Sequence, residues 1–343
     1  MWQPKYSIHN QLLRTIREIG EALGTIRSQS LSRSKLASLE LEARTISSYA
    51  STSIEGNPLP LTDVKRLIKR SPKQVRDTER EVLNYNRALK WVQEEVRKNR
   101  FKPDTKTFEL LQGIAVEGLM DNAFDVGNIR KKPVVIRNPR SIDDIVFMPP
   151  DHGDVEALCK ELFSFIQENL SELDPILLAG IFHKQAVIIH PFMDGNGRST
   201  RLMTTGIMGM AGLDIFSIFS FEAYYNQNIT RYFKMVGETG DYYDIQNSID
   251  YSNWLDYFAD GILDELKRVQ KSLPEKQLAR LASHHQVILD YIEANGSITQ
   301  REYGEISDRS LAARKKDLIK LIELGLIEKQ GGGRSVYYVI SQP

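Results

Sequence analysis

The sequence predicts a mainly α-helical protein, broken by one small β-hairpin and ended by a compact module of helices and a two-stranded ribbon. Three observations predict it. Apolar residues recur at spacings of three and four through most of the chain, as helices with one buried face require. Once, over residues 134–148, this gives way to β-branched and apolar runs around a polar Asn138-Pro139-Arg140-Ser141 turn. A polar stretch over 271–280, containing Pro274, separates the last long helix from a module that begins at His284.

Residues 1–31 carry Trp2 and Pro4 and then a helix with Leu12, Leu13, Ile16, Ile19 and Leu23 apolar. The second helix is striped by Leu36, Leu39, Ala43, Ile46, Ala50 and Ile54, with Gly56 as a stop and Pro58 forbidding continuation. Ser51 and Glu55 are i,i+4 neighbours in its last turn. The helix dipole disfavours a carboxylate there, which points to a cationic partner elsewhere in the chain. A basic run (Lys65, Arg66, Lys69, Arg70, Lys73, Arg76) precedes a helix with Val82, Tyr85, Leu89, Trp91, Val92 and Val96, whose mixed-charge face reads as solvated. Phe108 to Met120 forms another helix. The hairpin pairs Val134-Val135-Ile136-Arg137 with Ile145-Val146-Phe147-Met148, and Pro149-Pro150 closes it. Helices follow over 155–167, over the apolar run 181–189 and over 254–269.

The chemistry is concentrated in residues 190–201, from His190 to Arg201. Pro191 excludes αR at His190, so the imidazole stands at a helix end. Gly195 and Gly197 can take positive φ, letting the intervening N–H groups converge into an anion nest. A second helix starting near Arg198 adds its N-terminal dipole. Arg198 and Arg201 share a face of that helix and can both reach a polyphosphate, while Asp194 can hold a divalent cation against the same oxygens. A P-loop is excluded, since Phe192 stands where glycine is needed and Arg198 where lysine is.

The run His190-Pro191-Phe192-Met193-Asp194-Gly195-Asn196-Gly197-Arg198-Ser199-Thr200-Arg201 resembles the Fic family signature, HPFx[D/E]GNGRxxR, at every specified position. The resemblance implies a Fic-type helical bundle with a β-hairpin flap, and transfer of AMP from ATP to a hydroxyl side chain of a target protein, the chain itself included. It implies His190 as general base, Asp194 as Mg²⁺ ligand, Gly195-Asn196-Gly197 as phosphate cradle, Arg198 and Arg201 on the β/γ-phosphates, and Phe192 as the loop's core anchor. Ser51 to Glu55-Gly56 resembles the inhibitory motif [S/T]xxxE[G/N], which implies that Glu55 pairs with Arg201 and blocks productive ATP binding. The hairpin, with Val134, Val135, Ile136 and Arg137, corresponds to a flap that docks the target as an added strand. Adenine contacts are expected from Tyr232, with Tyr224 and Asn228 behind it.

After His284, Val287, Ile288, Tyr291 and Ile292 mark a helix stopped by Asn295-Gly296. Thr299 and Glu302 form a capping box for the next. Ser310 caps a third, with Leu311, Leu318, Leu321, Ile322 and Leu324 inward and Gly325 at its end. The strands Ile327-Glu328 and Val336–Ile340 flank Gly331-Gly332-Gly333. This resembles a winged helix-turn-helix domain, in which Ser310, Arg314 and Arg334 would face DNA. Balanced charge weakens that drive, and the fold also serves protein contacts.

The expected organisation is an N-terminal helical region over 1–100 carrying the inhibitory helix (about 35–56), a Fic core over 101–268, a linker over 269–283 and a winged-helix domain over 284–343. Lys+Arg and Asp+Glu are 45 each, so no global charge favours nucleic acid. The single cysteine, Cys159, excludes an internal disulfide, is expected as a buried thiol and suits a cytoplasmic location. No secretory pattern opens the chain, and Asp214 interrupts the apolar stretch 202–221, so no membrane span is expected. A homodimer is compatible with the sequence. Two rival readings are another phosphate-group transferase on the same fold and a DNA-binding regulator whose Fic core is inert.

Overall fold

A computed structural model describes residues 2–28, 33–70, 72, 74–138, 141–213, 215, 217–273, 282–332 and 335–341. Two compact units emerge, Met1–Ala22 with Glu40–Val269, and Leu23–Leu39 with Gln270–Pro343.

The chain order is α1 (Asn10–Arg27), α2 (Arg33–Ile54), α3 (Leu61–Arg70), α4 (Asp77–Arg97), α5 (Thr105–Val116), β1 (Ile136–Asn138), β2 (Ser141–Met148), α6 (Val155–Glu168), α7 (Pro175–Ile189), α8 (Asn196–Met210), α9 (Phe221–Gln227), α10 (Ile229–Val236), β3 (Gly240–Asp241), α11 (Tyr242–Ile245), α12 (Ser252–Ser272), α13 (Ser283–Asn295), α14 (Gln300–Glu305), α15 (Leu311–Glu323), β4 (Ile327–Gln330) and β5 (Tyr337–Ile340). The protein is mainly helical.

In the larger unit α7 and α8 pack as the central pair, and α8 also rests on α4 and α5. α7 is apolar but for His183, Lys184 and Gln185 and is buried nearly throughout, which is how a helix surrounded by others must read. Pro175 opens it, and the Asp174 side chain accepts from Ile176 N at 2.8 Å. Phe192, fully buried, meets Phe108 edge-on at 5.0 Å, which ties the loop after α7 into the aromatic core.

The hairpin is shorter on one side than the sequence suggests. β1 starts at Ile136, so Val134 and Val135 precede the strand, and its register (Ile136↔Phe147, Arg137↔Ile145, Asn138↔Ser141) slips twice. Pro139 and Arg140 lie outside the described residues. A third strand, β3, pairs parallel to β2 through Phe147↔Gly240, giving the order β1-β2-β3. Two residues carry no readable period, so β3 is invisible in the sequence. α12 also extends to Ser272, beyond the expected end at Val269. On α1 Leu13 is exposed, and on α2 Leu36 is exposed although both belong to apolar stripes.

The smaller unit closes its own core with Ile288, Ile292, Ile298, Tyr303, Leu318, Leu321 and Ile327. Thr299 and Glu302 form the capping box of α14, and Ser310 caps α15. β4 and β5 pair antiparallel, and Ile298 bridges Tyr338. Leu311 and Ile322, expected inward, are exposed. Arg314 donates to the Gln300 carbonyl at 3.2 Å, which turns it onto α14 instead of outward. Arg334 lies outside the described residues, as do 274–281 of the expected linker.

Candidate active site

His190 ends α7 in the left-handed conformation, at φ 50°. Pro191 excludes αR, but the left-handed well still lets the His190 N–H close the last turn on Ala186 O at 3.1 Å. A non-glycine residue there costs about 1–2 kcal/mol. What holds it is Arg130, which the sequence did not single out. Its buried guanidinium donates from Nε to the His190 carbonyl at 2.8 Å, and through its amino groups to the carbonyls of Pro150, Lys132 and Ile189. A cation on the last carbonyls of a helix is favoured by the dipole. The His190 ring opens on a cavity yet lies deep. Burial pushes its pKa down to about 4, Arg130 adds to this, and the Val187 carbonyl, Glu55 and Asp194 oppose it. Nδ1 lies 3.4 Å from Val187 O, which can only accept, so Nδ1 carries the proton and Nε2 keeps its lone pair.

The following loop is stapled from inside. Asn196 Oδ1 accepts from Phe192 N and its Nδ2 returns to Phe192 O, both at 2.8 Å. Gln112 of α5, fully buried, donates to Asp194 O at 2.9 Å. Gly195 takes φ +80°. Gly197 does not take positive φ as expected, because α8 begins at Asn196, two residues before Arg198, and Gly197 is already helical. Its lack of a side chain serves another end. A Cβ there would stand 2.1 Å from Glu55 Oε1. The Glu55 carboxylate therefore lies against the first turn of α8, where free N–H groups and the dipole favour an anion.

Arg201, fully buried, gathers the end of α2. It donates from Nε to Ser51 Oγ at 2.7 Å and from Nη2 to Ser51 O at 3.0 Å and Glu55 Oε1 at 2.6 Å. Burial opposes its charge most strongly, but Glu55, Tyr232 and Tyr85 together outweigh that and raise its pKa. Arg198 is held by two acids, with Nη1 2.9 Å from Glu81 Oε1 of α4 and Nη2 2.9 Å from Asp194 Oδ1. α2 is fixed further along by the buried Glu222, which accepts from Ser47, Tyr85 and Ser220. So neither arginine of the loop is unoccupied, although the sequence placed both toward a polyphosphate.

A cavity of about 310 Å³ joins these parts. His190, Asn196, Gly197, Arg201 and Glu55 line one side, Ile136, Arg137, Val146 and Phe147 of the hairpin another, and Tyr232, Phe233, Val236 and Glu238 the third. Tyr232 is buried, 2.9 Å from His183 Nε2, with Arg201 Nη1 at 3.4 Å. Thr204 donates to Thr200 O at 2.7 Å, so it accepts from His183 Nδ1, and Nε2 then accepts from the Tyr232 hydroxyl. Burial, with Arg201 adding to it, keeps His183 neutral. Tyr224 and Asn228 stand outside the cavity. Tyr224 packs on Tyr225 and Tyr257, and Asn228 is an exposed cap whose Oδ1 accepts from Arg231 N at 3.0 Å. Lys184, buried beneath α10, pairs with the cavity's Glu238 at 2.7 Å.

Residues 102–208 match the Fic/DOC family. The protein adenylyltransferase Fic of Culex quinquefasciatus is 26% identical over 262 residues, covering 75% of this chain and 46% of that protein. Its counterpart in Drosophila erecta is 27% identical over 169 residues, covering 48% of this chain and 32% of that one. The chain thus spans from a third to a half of the length of these curated relatives. Among solved structures, a Fic family protein from Desulfovibrio desulfuricans G20 has a TM-score of 0.65 at 19% identity, covering 100% of this chain and 99% of its own. Fic-1 from C. elegans has a TM-score of 0.56 at 20% identity, covering 76% and 72%. Together with the loop geometry above, these likenesses identify the chain as one that carries a Fic domain of the Fic/DOC family.

Proposed function

We propose that the chain is a self-inhibited protein adenylyltransferase, which moves AMP from ATP to a hydroxyl side chain of a target protein. The observation that carries this is the placing of the Glu55 carboxylate on Arg201 and against Gly197, an anion held where a phosphate would be. The names of the relatives from Culex and Drosophila support the AMP donor. In the proposed reaction His190 Nε2 takes the proton of the target hydroxyl. The freed oxygen attacks the α-phosphorus, the bond from that phosphorus to the bridging oxygen of the β-phosphate breaks, and pyrophosphate leaves with the electron pair. Arg201 and Arg198 donate to the β- and γ-phosphates, the N–H groups of Gly195, Asn196 and Gly197 cradle them, and the apolar wall with Tyr232 receives the base.

Asp194 fits an Mg²⁺ role. Its Oδ1 accepts from Gly195 N and Arg198, while Oδ2 accepts from none of the described residues and the side chain is half-exposed. One carboxylate oxygen beside phosphate oxygens suits this cation, which would neutralise charge on the phosphates. β1, the outer strand of the order β1-β2-β3 and bearing Ile136 and Arg137, is the docking strand proposed for the target.

The same proposal keeps 1–100, 101–268, 269–283 and 284–343 as helical region, Fic core, linker and winged helix. The order of α13, α14, α15, β4 and β5 supports the last. With Arg314 turned onto α14, its exposed Lys315, Lys316 and Lys320 are the remaining basic contacts on α15 for DNA or protein. No helix among the described residues is long and apolar enough to cross a membrane. Mass spectrometry of protein treated with ATP and the Glu55→Gly chain tests the chemistry: added AMP supports it, added phosphate overturns it.

A further inference from the structure

Glu81 belongs to α4, far in sequence from the loop, yet both of its carboxylate oxygens are committed at the site. Oε1 takes Arg198 Nη1 at 2.9 Å, and Oε2 accepts from Asn57 Nδ2 at 2.7 Å. Asn57 also donates to Thr78 O at 2.8 Å and accepts from Leu59 N at 3.1 Å. Its own N–H closes on Thr52 O, as does that of Glu55, so Asn57 and Glu55 share one rigid turn at the end of α2. Among the described residues Arg198 Nε has no hydrogen-bond partner, and the guanidinium is held by its two amino groups.

The two acids on Arg198 differ in kind. The Asp194 side chain is 54% exposed and belongs to a loop, whereas Glu81 is 16% exposed and fixed by Asn57. Two carboxylates on one guanidinium leave the locality negative, which opposes a polyphosphate until one of them departs. The exposed one, Asp194, is free to turn to a cation and release Nη2. Glu81 is not.

We infer that Glu81 is a positioning residue of the nucleotide site. It keeps Arg198 Nη1 so that Nη2 faces the phosphates of a nucleoside triphosphate, and through Asn57 it fixes Arg198 to the turn that bears Glu55. The inference rests on the reading of Arg198 as a phosphate donor. Glutamine is the informative replacement because both Glu81 oxygens accept. Gln has one acceptor oxygen, so it must lose Arg198 or present an N–H to Asn57 Nδ2.

The test uses the full chain carrying Glu55→Gly, with KM for ATP, kcat, thermal midpoint and the ATP dissociation constant by calorimetry. Glu81→Gln is expected to raise KM and Kd by about tenfold, the effect of losing one charged hydrogen bond, with kcat and midpoint little changed. Arg198→Ala should raise KM and Kd at least as much, and the double variant should be no worse in Kd than Arg198→Ala alone. Asn57→Ala should act in the same direction and add nothing to Glu81→Gln. Unchanged KM in Glu81→Gln, with KM raised in Arg198→Ala, overturns the role of Glu81 and leaves that of Arg198 standing. Unchanged Kd in Arg198→Ala removes the phosphate reading itself, and this inference with it. Should Glu81→Gln fail to fold, Glu81→Asp keeps both acceptors one methylene back. A raised KM at wild-type midpoint then supports the role, and a wild-type KM overturns it.

Discussion

Arg130 Nε donates to the carbonyl of His190 over 2.8 Å, so the residue proposed as the base is fixed through its backbone by a buried cation sixty positions earlier. Among the described residues that guanidinium has only carbonyl oxygens as hydrogen-bond partners, two of them on the last two residues before Pro191.

Arg130→Met should therefore destabilise the protein and slow transfer together. Each buried hydrogen bond to a charged donor is worth about 1.5–3 kcal/mol, and the left-handed His190 loses its restraint. The expected loss is ~3 kcal/mol or more in denaturant unfolding. Arg130→Lys keeps the charge but cannot span four carbonyls, and should recover part of the stability and little of the rate. A fully active Arg130→Lys chain at wild-type stability would show that charge alone suffices.

His190→Ala should abolish AMP transfer and leave ATP binding nearly unchanged, since the proposed phosphate donors lie on α8. The pH profile is sharper. Burial sets the imidazole near pKa 4, so it stays neutral, and able to accept a proton, down to that region. Falling pH protonates it and removes the base, and loss of the Glu55 charge can only lower its pKa further, so kcat/KM of the Glu55→Gly chain should show no acid limb above about pH 4. A limb at about 6.5, the free imidazole value, would contradict the buried environment.

Much of this site was legible because residues 190–201 hold so many specified positions in one run, and because Glu55 stands where the helix dipole opposes it. The helices were legible from their period. What escaped was whatever acts alone and at a distance. Arg130, Glu81 and Gln112 are each single polar residues amid ordinary sequence, and nothing local distinguishes a buried clamp from a solvated side chain. On the adenine side a run of aromatics gives no sign of which ring turns inward: Tyr232, the first candidate, lines the cavity, while Tyr224 packs on Tyr257. Gly197 read as a source of positive φ, but its function is to leave room.

That room predicts the behaviour of Gly197→Ala. Its methyl would stand 2.1 Å from Glu55 Oε1 and 2.9 Å from Arg201 Nη1, so Glu55 must leave. Expelling Glu55 this way should not activate the chain, because the methyl fills the place of the phosphate. Gly197→Ala in the Glu55→Gly chain should bind ATP at least about tenfold more weakly than Glu55→Gly alone, an effect of 1.4 kcal/mol or so. Equal affinities would place the phosphates elsewhere.

Asp194→Ala should weaken nucleotide binding in Mg²⁺ but not in chelator, where losing a carboxylate from Arg198 Nη2 can only favour the phosphates, as expected of a side chain proposed to act through the cation. Calorimetry with and without Mg²⁺ reads both. Loss of affinity in chelator alone would make Asp194 a support for Arg198 instead.

In the proposed reaction Arg201 serves inhibition and catalysis with the same side chain, so Arg201→Ala should lose both, whereas removal of Glu55 should lose inhibition alone. The α-phosphorus need be displaced by only about 1 Å for a rate loss of ~10²-fold, so Glu55 can silence the proposed transfer without excluding ATP. The decisive measurement is AMP incorporation by the wild-type and Glu55→Gly chains at equal folded concentration, with Glu55→Gly/His190→Ala as the silent control. Incorporation by Glu55→Gly at least about tenfold above wild type, abolished by His190→Ala, is the predicted result; equal incorporation by wild type and Glu55→Gly would contradict it.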